Sequence, residues 1–306
     1  MLGEFPLKDK IVVITGGGSG IGLAFVQHAL SLNTKVLIGD LRLTADAEKL
    51  VSQRNNHDRN NNNNSDVPHS VSVAFVKCDV TKWDELQNLI EMAREIFGDV
   101  PDVYVPCAGV FEPSRSNFWL DSEQEKNHYA TLDTNISHPI KFTRMAMHAL
   151  LERKKKGVVL LIASIAGLDG VYSKPLYATS KHAIVGFVKS MGVAEQQLGV
   201  KVVGICPELE KQSITNTPIW DDDEELLSFF RSDRAQMLKP ELIAASMVNL
   251  IQRGEYTGGT VFLETGEASS VVFKGFENDP KKIGAIETLP GVSRIGKLMS
   301  REMAKL

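Results

Sequence analysis

Tyr177 and Lys181 stand four residues apart in Tyr177-Ala178-Thr179-Ser180-Lys181, and Ser164 lies thirteen positions before the tyrosine at the end of an apolar run. On a helix, positions i and i+4 share one face. A phenol titrates near pH ~10, so it acts as a base at neutral pH only where a cation lowers that value. The Lys181 ammonium is such a cation. Beside the positive ring of an oxidised nicotinamide, Tyr177 would take the proton of an alcohol as hydride leaves. Ser164 would bind the same oxygen. In reduction Tyr177 donates the proton and the serine hydroxyl steadies the developing alkoxide. A tyrosine and a lysine one turn apart are common on helix surfaces, so the pair needs a second signal.

That signal is Thr15-Gly16-Gly17-Gly18-Ser19-Gly20-Ile21-Gly22. Its setting, strand before and helix after, brings backbone amides and a positive helix end to a dinucleotide pyrophosphate. Gly16, Gly18, Ser19, Gly20, Ile21 and Gly22 are the expected phosphate-side contacts. The spacing differs from the commoner Gly-x-Gly-x-x-Gly, and a plain glycine turn is the bland alternative. Asp40, eighteen residues past Gly22 at the end of the second strand, argues against it. A carboxylate there accepts hydrogen bonds from ribose hydroxyls and repels a 2′-phosphate, which favours NAD over NADP. Leu41 and Arg42 follow, and the Arg42 guanidinium keeps NADP possible.

The elements that must position these groups alternate. Strands are expected at Ile11 to Thr15, Lys35 to Asp40, Val71 to Lys77, Asp102 to Pro106, Val158 to Ile162, Lys201 to Cys206 and Thr260 to Leu263. Helices are expected at Gly20 to Leu32, Thr44 to Gln53, Trp83 to Phe97 (capped by Thr81), Tyr129 to Leu151, Tyr177 to Leu198 and Pro240 to Arg253. Fully apolar runs such as Val158 to Ile162 suit strands covered on both faces. The fold class is therefore α/β, a single Rossmann-type, doubly wound parallel sheet of about seven strands with helices on both faces.

Length and composition agree with one domain: 306 residues, 43% apolar. The net charge of −4, from 38 acidic and 34 basic residues, gives no footprint for nucleic acid. The apolar segment Ile11 to Ile14 is too short for a membrane span or a signal peptide, so a cytoplasmic placement and no membrane partner are expected. Cys78, Cys107 and Cys206 lack metal-ligand spacing and read as reduced, buried thiols, with no metal site.

Three stretches interrupt the rhythm. The asparagine-rich Asn55 to Asn64 reads as a mobile insertion. Phe111 to Asn127 carries Phe111, Phe118 and Trp119, aromatics that either pack under the loop or line a substrate cleft. Beyond Leu263, a basic amphipathic pattern from Val292 to Leu306 suggests a helix docking on the body or on a second subunit. The organisation expected is a nucleotide-binding domain over 1–265, with a lid at about 207–238, and an extension over 266–306. In the lid, Trp220, Leu226, Leu227, Phe229 and Phe230 either face an apolar substrate or merely cover the sheet edge.

Taken together these motifs resemble the short-chain dehydrogenase/reductase family, in the branch of fungal 15-hydroxyprostaglandin dehydrogenase-like members, over about residues 7 to 265. The resemblance implies a tetrad of Asn135, Ser164, Tyr177 and Lys181, with Asn135 in a proton relay to the lysine. It also implies cofactor contacts from Asp79 and Val80 at the adenine, Ala108 and Gly109 after the fourth strand, Tyr177 and Lys181, and Pro207 and Thr217 near the nicotinamide. Homodimers or homotetramers are usual in the family. Two departures stand out. Pro106-Cys107-Ala108-Gly109 replaces the family's Asn-Asn-Ala-Gly, so the amides that brace the sheet are missing, and Glu208 replaces the glycine after Pro207. The function expected is interconversion of a secondary alcohol and a ketone on a small, hydrophobic, lipid-like or secondary-metabolite substrate. The alternative is a non-redox cyclase or isomerase, or a nucleotide-sensing interaction protein, on the same fold.

Overall fold

The structure, a computed structural model, describes residues 2–61, 71–113, 116–120, 128–208, 238–266 and 268–275. Thr217, the aromatic residues of the expected lid and the C-terminal amphipathic pattern lie outside these residues.

Strand and helix alternate as the apolar patterning requires. The order is β1 (Ile11–Thr15), α1 (Gly20–Ser31), β2 (Lys35–Asp40), α2 (Ala45–Asn61), β3 (Val73–Lys77), α3 (Trp83–Phe97) and β4 (Val103–Pro106). There follow α4 (Ala130–Leu132), a π turn (Asp133–Ser137), α5 (His138–Glu152), β5 (Gly157–Ile162), a 3-10 turn (Ile165–Gly167), α6 (Pro175–Ser190) and α7 (Ala194–Leu198). The described part closes with β6 (Val200–Pro207), α8 (Pro240–Gln252), β7 (Val261–Glu264) and β8 (Ser270–Phe273).

One sheet runs β3-β2-β1-β4-β5-β6-β7-β8. The seven expected strands are parallel, and β8 adds an antiparallel edge on β7. That short, largely exposed strand has no apolar alternation to announce it. Along β1 the side chains alternate between layers: Ile11 and Val13 join the core under α3, α5 and α6, whereas Val12 and Ile14 join the one under α1 and α8.

Four local expectations change. The Asn55 to Asn64 stretch is not wholly an insertion, because α2 continues through Asn61; extending a formed helix costs far less than starting one. Thr81 does not cap α3, since its hydroxyl donates to Asp79 Oδ1 and Lys82 holds the cap position. The helix expected at Tyr177 to Leu198 begins two residues earlier, where Pro175 suits a first turn, and breaks between α6 and α7. The helix expected from Tyr129 contains the π turn, in which the His138 N–H reaches back to Asp133 O.

The chain runs outward from β1 to β3 and returns to β4 on the other side of β1. That reversal opens a crevice beyond the carboxyl ends of β1 and β4, the usual ligand position in such sheets.

Candidate active site

The glycine turn occupies this crevice. Gly16 has φ +70° and Gly20 φ +50°, values that few side-chain-bearing residues adopt. A Cβ on Gly16 would sit 2.7 Å from Ala108 Cα, and one on Gly22 only 2.0 Å from Gly16 O, so the turn is packed backbone to backbone. Ser19 stands at the N-cap of α1 and Ile21 within its first turn. Asp40 fixes the turn from the neighbouring strand, its Oδ2 accepting the Gly18 N–H at 2.9 Å. Burial pushes the Asp40 carboxyl up from its ordinary value, opposed by hydrogen bonds from the Gly18, Arg42 and Leu41 amides. Leu41 and Arg42 are exposed beside it. At the next strand end, Asp79 accepts hydrogen bonds from the Thr81 N–H and hydroxyl, and Val80 is buried.

The brace expected to be missing at Pro106-Cys107 is made by other groups. Thr15 Oγ1 accepts the N–H of Cys107 at 3.1 Å and of Ala108 at 3.3 Å. Its own proton then goes to His138 Nε2, 3.1 Å away, which leaves the other ring nitrogen to donate to Thr134 O at 3.0 Å. The imidazole must be neutral in this chain of bonds. Burial agrees, pushing His138 down to about 4, with Thr134 opposing and the Lys181 charge contributing.

An unfolded chain protonates this histidine below its ordinary pKa, so between pH ~6.5 and 4 the unfolded state binds more protons. The stability that the neutral ring contributes is complete above that window and is lost as pH falls through it, by about 3 kcal/mol. Melting His138→Gln beside the wild type across this range is expected to show a shallower acid slope for the variant; equal slopes would remove His138 as the source.

Of the expected tetrad, Asn135 and Lys181 flank Gly109, Lys181 faces the Tyr177 ring, and Ser164 opens a turn packed on the same helix. Asn135, buried on the π turn, donates to Val110 O (2.8 Å) and Ser180 Oγ (3.1 Å) and accepts the Val110 N–H (2.9 Å). It thus joins the segment after β4 to α6. A Cβ on Gly109 would lie 3.3 Å from Asn135 Oδ1 and 3.9 Å from Lys181 Nζ. Lys181 Nζ is 5.4 Å from the centre of the Tyr177 ring and donates to Ile162 O at 3.0 Å. Burial lowers its pKa to about 8, against the nearby Cys107 and Cys206 thiols, so at neutral pH most of the population keeps its proton.

Ser164 caps the 3-10 turn, its Oγ accepting the Ala166 N–H at 3.2 Å, which leaves the hydroxyl proton to donate. That turn lies flush on α6, where a Cβ on Gly167 would meet Lys181 O at 2.7 Å. Pro207 ends β6, and Glu208 extends the ladder with its N–H on Glu264 O, the residue itself exposed. Phe111 packs edge-on against the Tyr177 ring at 4.5 Å. Phe118 and Trp119 are half-exposed, and Trp119 meets Tyr172 at 4.9 Å. Thr15 and His138 escaped the sequence reading; a threonine ending the first strand and a histidine one turn after Asn135 were the available signals.

The profile of the short chain dehydrogenase family matches residues 10–223. The chain belongs to that family. Its members are oxidoreductases acting on CH–OH donors. Human 15-hydroxyprostaglandin dehydrogenase [NAD(+)] is 25% identical over 284 residues, 90% of this chain and 97% of its own. Ipsdienol dehydrogenase of Ips pini is 25% identical over 270 residues, covering 84% and 96%. Among solved structures, a short-chain dehydrogenase/reductase from Burkholderia phymatum in complex with NAD aligns with a TM-score of 0.63 at 21% identity, covering 80% of this chain and 86% of that one, a likeness of fold. Among the described residues no cluster fit to hold a metal ion occurs, and no helix is long and apolar enough to cross a membrane.

Proposed function

We propose that this short-chain dehydrogenase interconverts a secondary alcohol and a ketone on a small apolar substrate, using NAD(H). The observation that carries the proposal is the buried Lys181 ammonium facing the Tyr177 ring within reach of the glycine-turn crevice. An acid–base pair of this kind has a use where an alcohol proton must leave or return.

A dinucleotide suits the crevice: backbone glycines line the turn, and a carboxylate anchored to Gly18 stands where ribose hydroxyls are read. Two relatives are named for alcohol substrates and one for NAD(+), which supports the same choice. When bound, the nicotinamide supplies the hydride acceptor or donor. Gly16, Gly18, Ser19, Gly20, Ile21 and Gly22 would hold the pyrophosphate side, Asp40 to Arg42 the ribose, Asp79 and Val80 the adenine, and Ala108, Gly109 and Pro207 the remainder. Tyr177 holds or accepts the proton at its phenol oxygen, Lys181 favours the phenolate, Ser164 orients the substrate oxygen, and Asn135 fixes α6 relative to β4. Phe111 and the exposed aromatics supply the apolar wall.

The test is fluorescence titration of NADH followed by turnover on a panel of ketones and secondary alcohols of rising apolar bulk. Saturable binding with turnover that favours the bulkier members is expected. Binding without redox turnover on any of them would sink the reading in favour of a non-redox role.

A further inference from the structure

Glu112 is a fully buried carboxylate with a left-handed backbone, φ +47°, a conformation costly for any residue with an ordinary side chain. Strain of this kind persists only where the surroundings hold it. Both oxygens are committed: Oε2 accepts the Tyr177 N–H and Oε1 the Phe118 N–H, each at 3.0 Å. Its carbonyl faces Asn117 Nδ2 and Lys174 Nζ, both at 3.4 Å.

The need for a distant carboxylate follows from the start of α6. Lys174 occupies the N-cap, its side chain has no acceptor to offer, and Pro175 brings no N–H. The N3 amide, which an N-cap serine or aspartate would ordinarily satisfy, belongs to Tyr177. Glu112 fills that place from the loop after β4 and sets a negative charge at the positive end of the helix. The loop it comes from carries Phe111 against the Tyr177 ring, and Phe118 edge-on against Trp119, which meets Tyr172. Ser116 fastens the same loop to Thr131, just before the π turn that bears Asn135.

We propose that Glu112 is a positioning residue, clasping the first turn of the Tyr177 helix to the aromatic loop 116–120 so that the proton-transfer group and the apolar substrate wall keep one register. The proposal rests on the acid–base reading of Tyr177. Glu112→Gly is the informative variant, because glycine accepts the left-handed backbone without strain while the clasping carboxylate is lost. Glu112→Gln, isosteric but able to satisfy only one of the two amides, serves if the glycine variant does not fold.

Hydrogen exchange at the Phe118 and Tyr177 amides is expected to quicken roughly 10-fold or more in Glu112→Gly, and at one or both of them in Glu112→Gln. Turnover should fall about 10-fold or more, and KM for a bulky ketone should rise more than KM for a small one, with NADH affinity preserved. Wild-type exchange at both amides, or wild-type turnover and KM in a folded variant, would overturn the proposal. Tyr177→Phe separates the two ideas. If that variant keeps its turnover the acid–base reading fails, while the exchange rates still decide whether Glu112 clasps.

Discussion

Tyr177→Phe is expected to lower turnover by about 100- to 10,000-fold, the range that a positioned acid–base group contributes, while NADH binds with nearly unchanged affinity. The substitution removes one oxygen. Its ring remains to pack against Phe111, and its backbone N–H remains bound to Glu112, so α6 has no reason to move. Lys181 keeps its bond to Ile162 O and its neighbours Asn135 and Ser180 are undisturbed. Loss of turnover in a protein that melts and binds NADH like the wild type therefore reports proton transfer alone. Full activity would exclude Tyr177 as the acid–base group and leave Ser164 or a bound water to account for the chemistry.

Asp40→Ala is expected to weaken NADH by about 10- to 100-fold, since hydrogen bonds to a charged group are worth ~1.5–3 kcal/mol. NADPH should lose less, or gain. Two effects add. The variant removes the acceptor for ribose hydroxyls and releases the Gly18 amide that Asp40 now holds, loosening the turn. It also removes the charge that repels a 2′-phosphate, with Arg42 exposed two residues away and free to approach one. Parallel titrations with the two reduced cofactors measure both effects, and unchanged dissociation constants for both would remove Asp40 from cofactor choice.

The central strands were readable because they are buried on both faces and leave runs dominated by β-branched and aliphatic residues in the chain, as at Val158 to Ile162. The helix from Trp83 to Phe97 was readable from its apolar stripe, and the glycine turn from a rare composition at a strand-to-helix junction. Other features depend on partners far away in sequence. Glu112 gains its meaning from an amide sixty-five positions later, and His138 from a threonine 123 positions earlier. The π turn spans only five residues, too short a stretch to read from periodicity. For the site, residue types and spacing pointed to Tyr177, Lys181 and Asp40, whereas the bracing around Cys107 required knowing which strand ends are neighbours.

The alternation along β1 has a further consequence for how such an enzyme changes over time. The helix that opens with the glycine turn packs through Phe25 into one layer, and the helix bearing Tyr177 packs through Ile184, Val185 and Val188 into the other. The two layers are separated by the sheet itself. Substitutions under the helix that opens with the glycine turn therefore meet a different set of core side chains from substitutions under the helix that bears Tyr177. The glycine turn and the Tyr177 helix thus rest on separate cores that share one sheet.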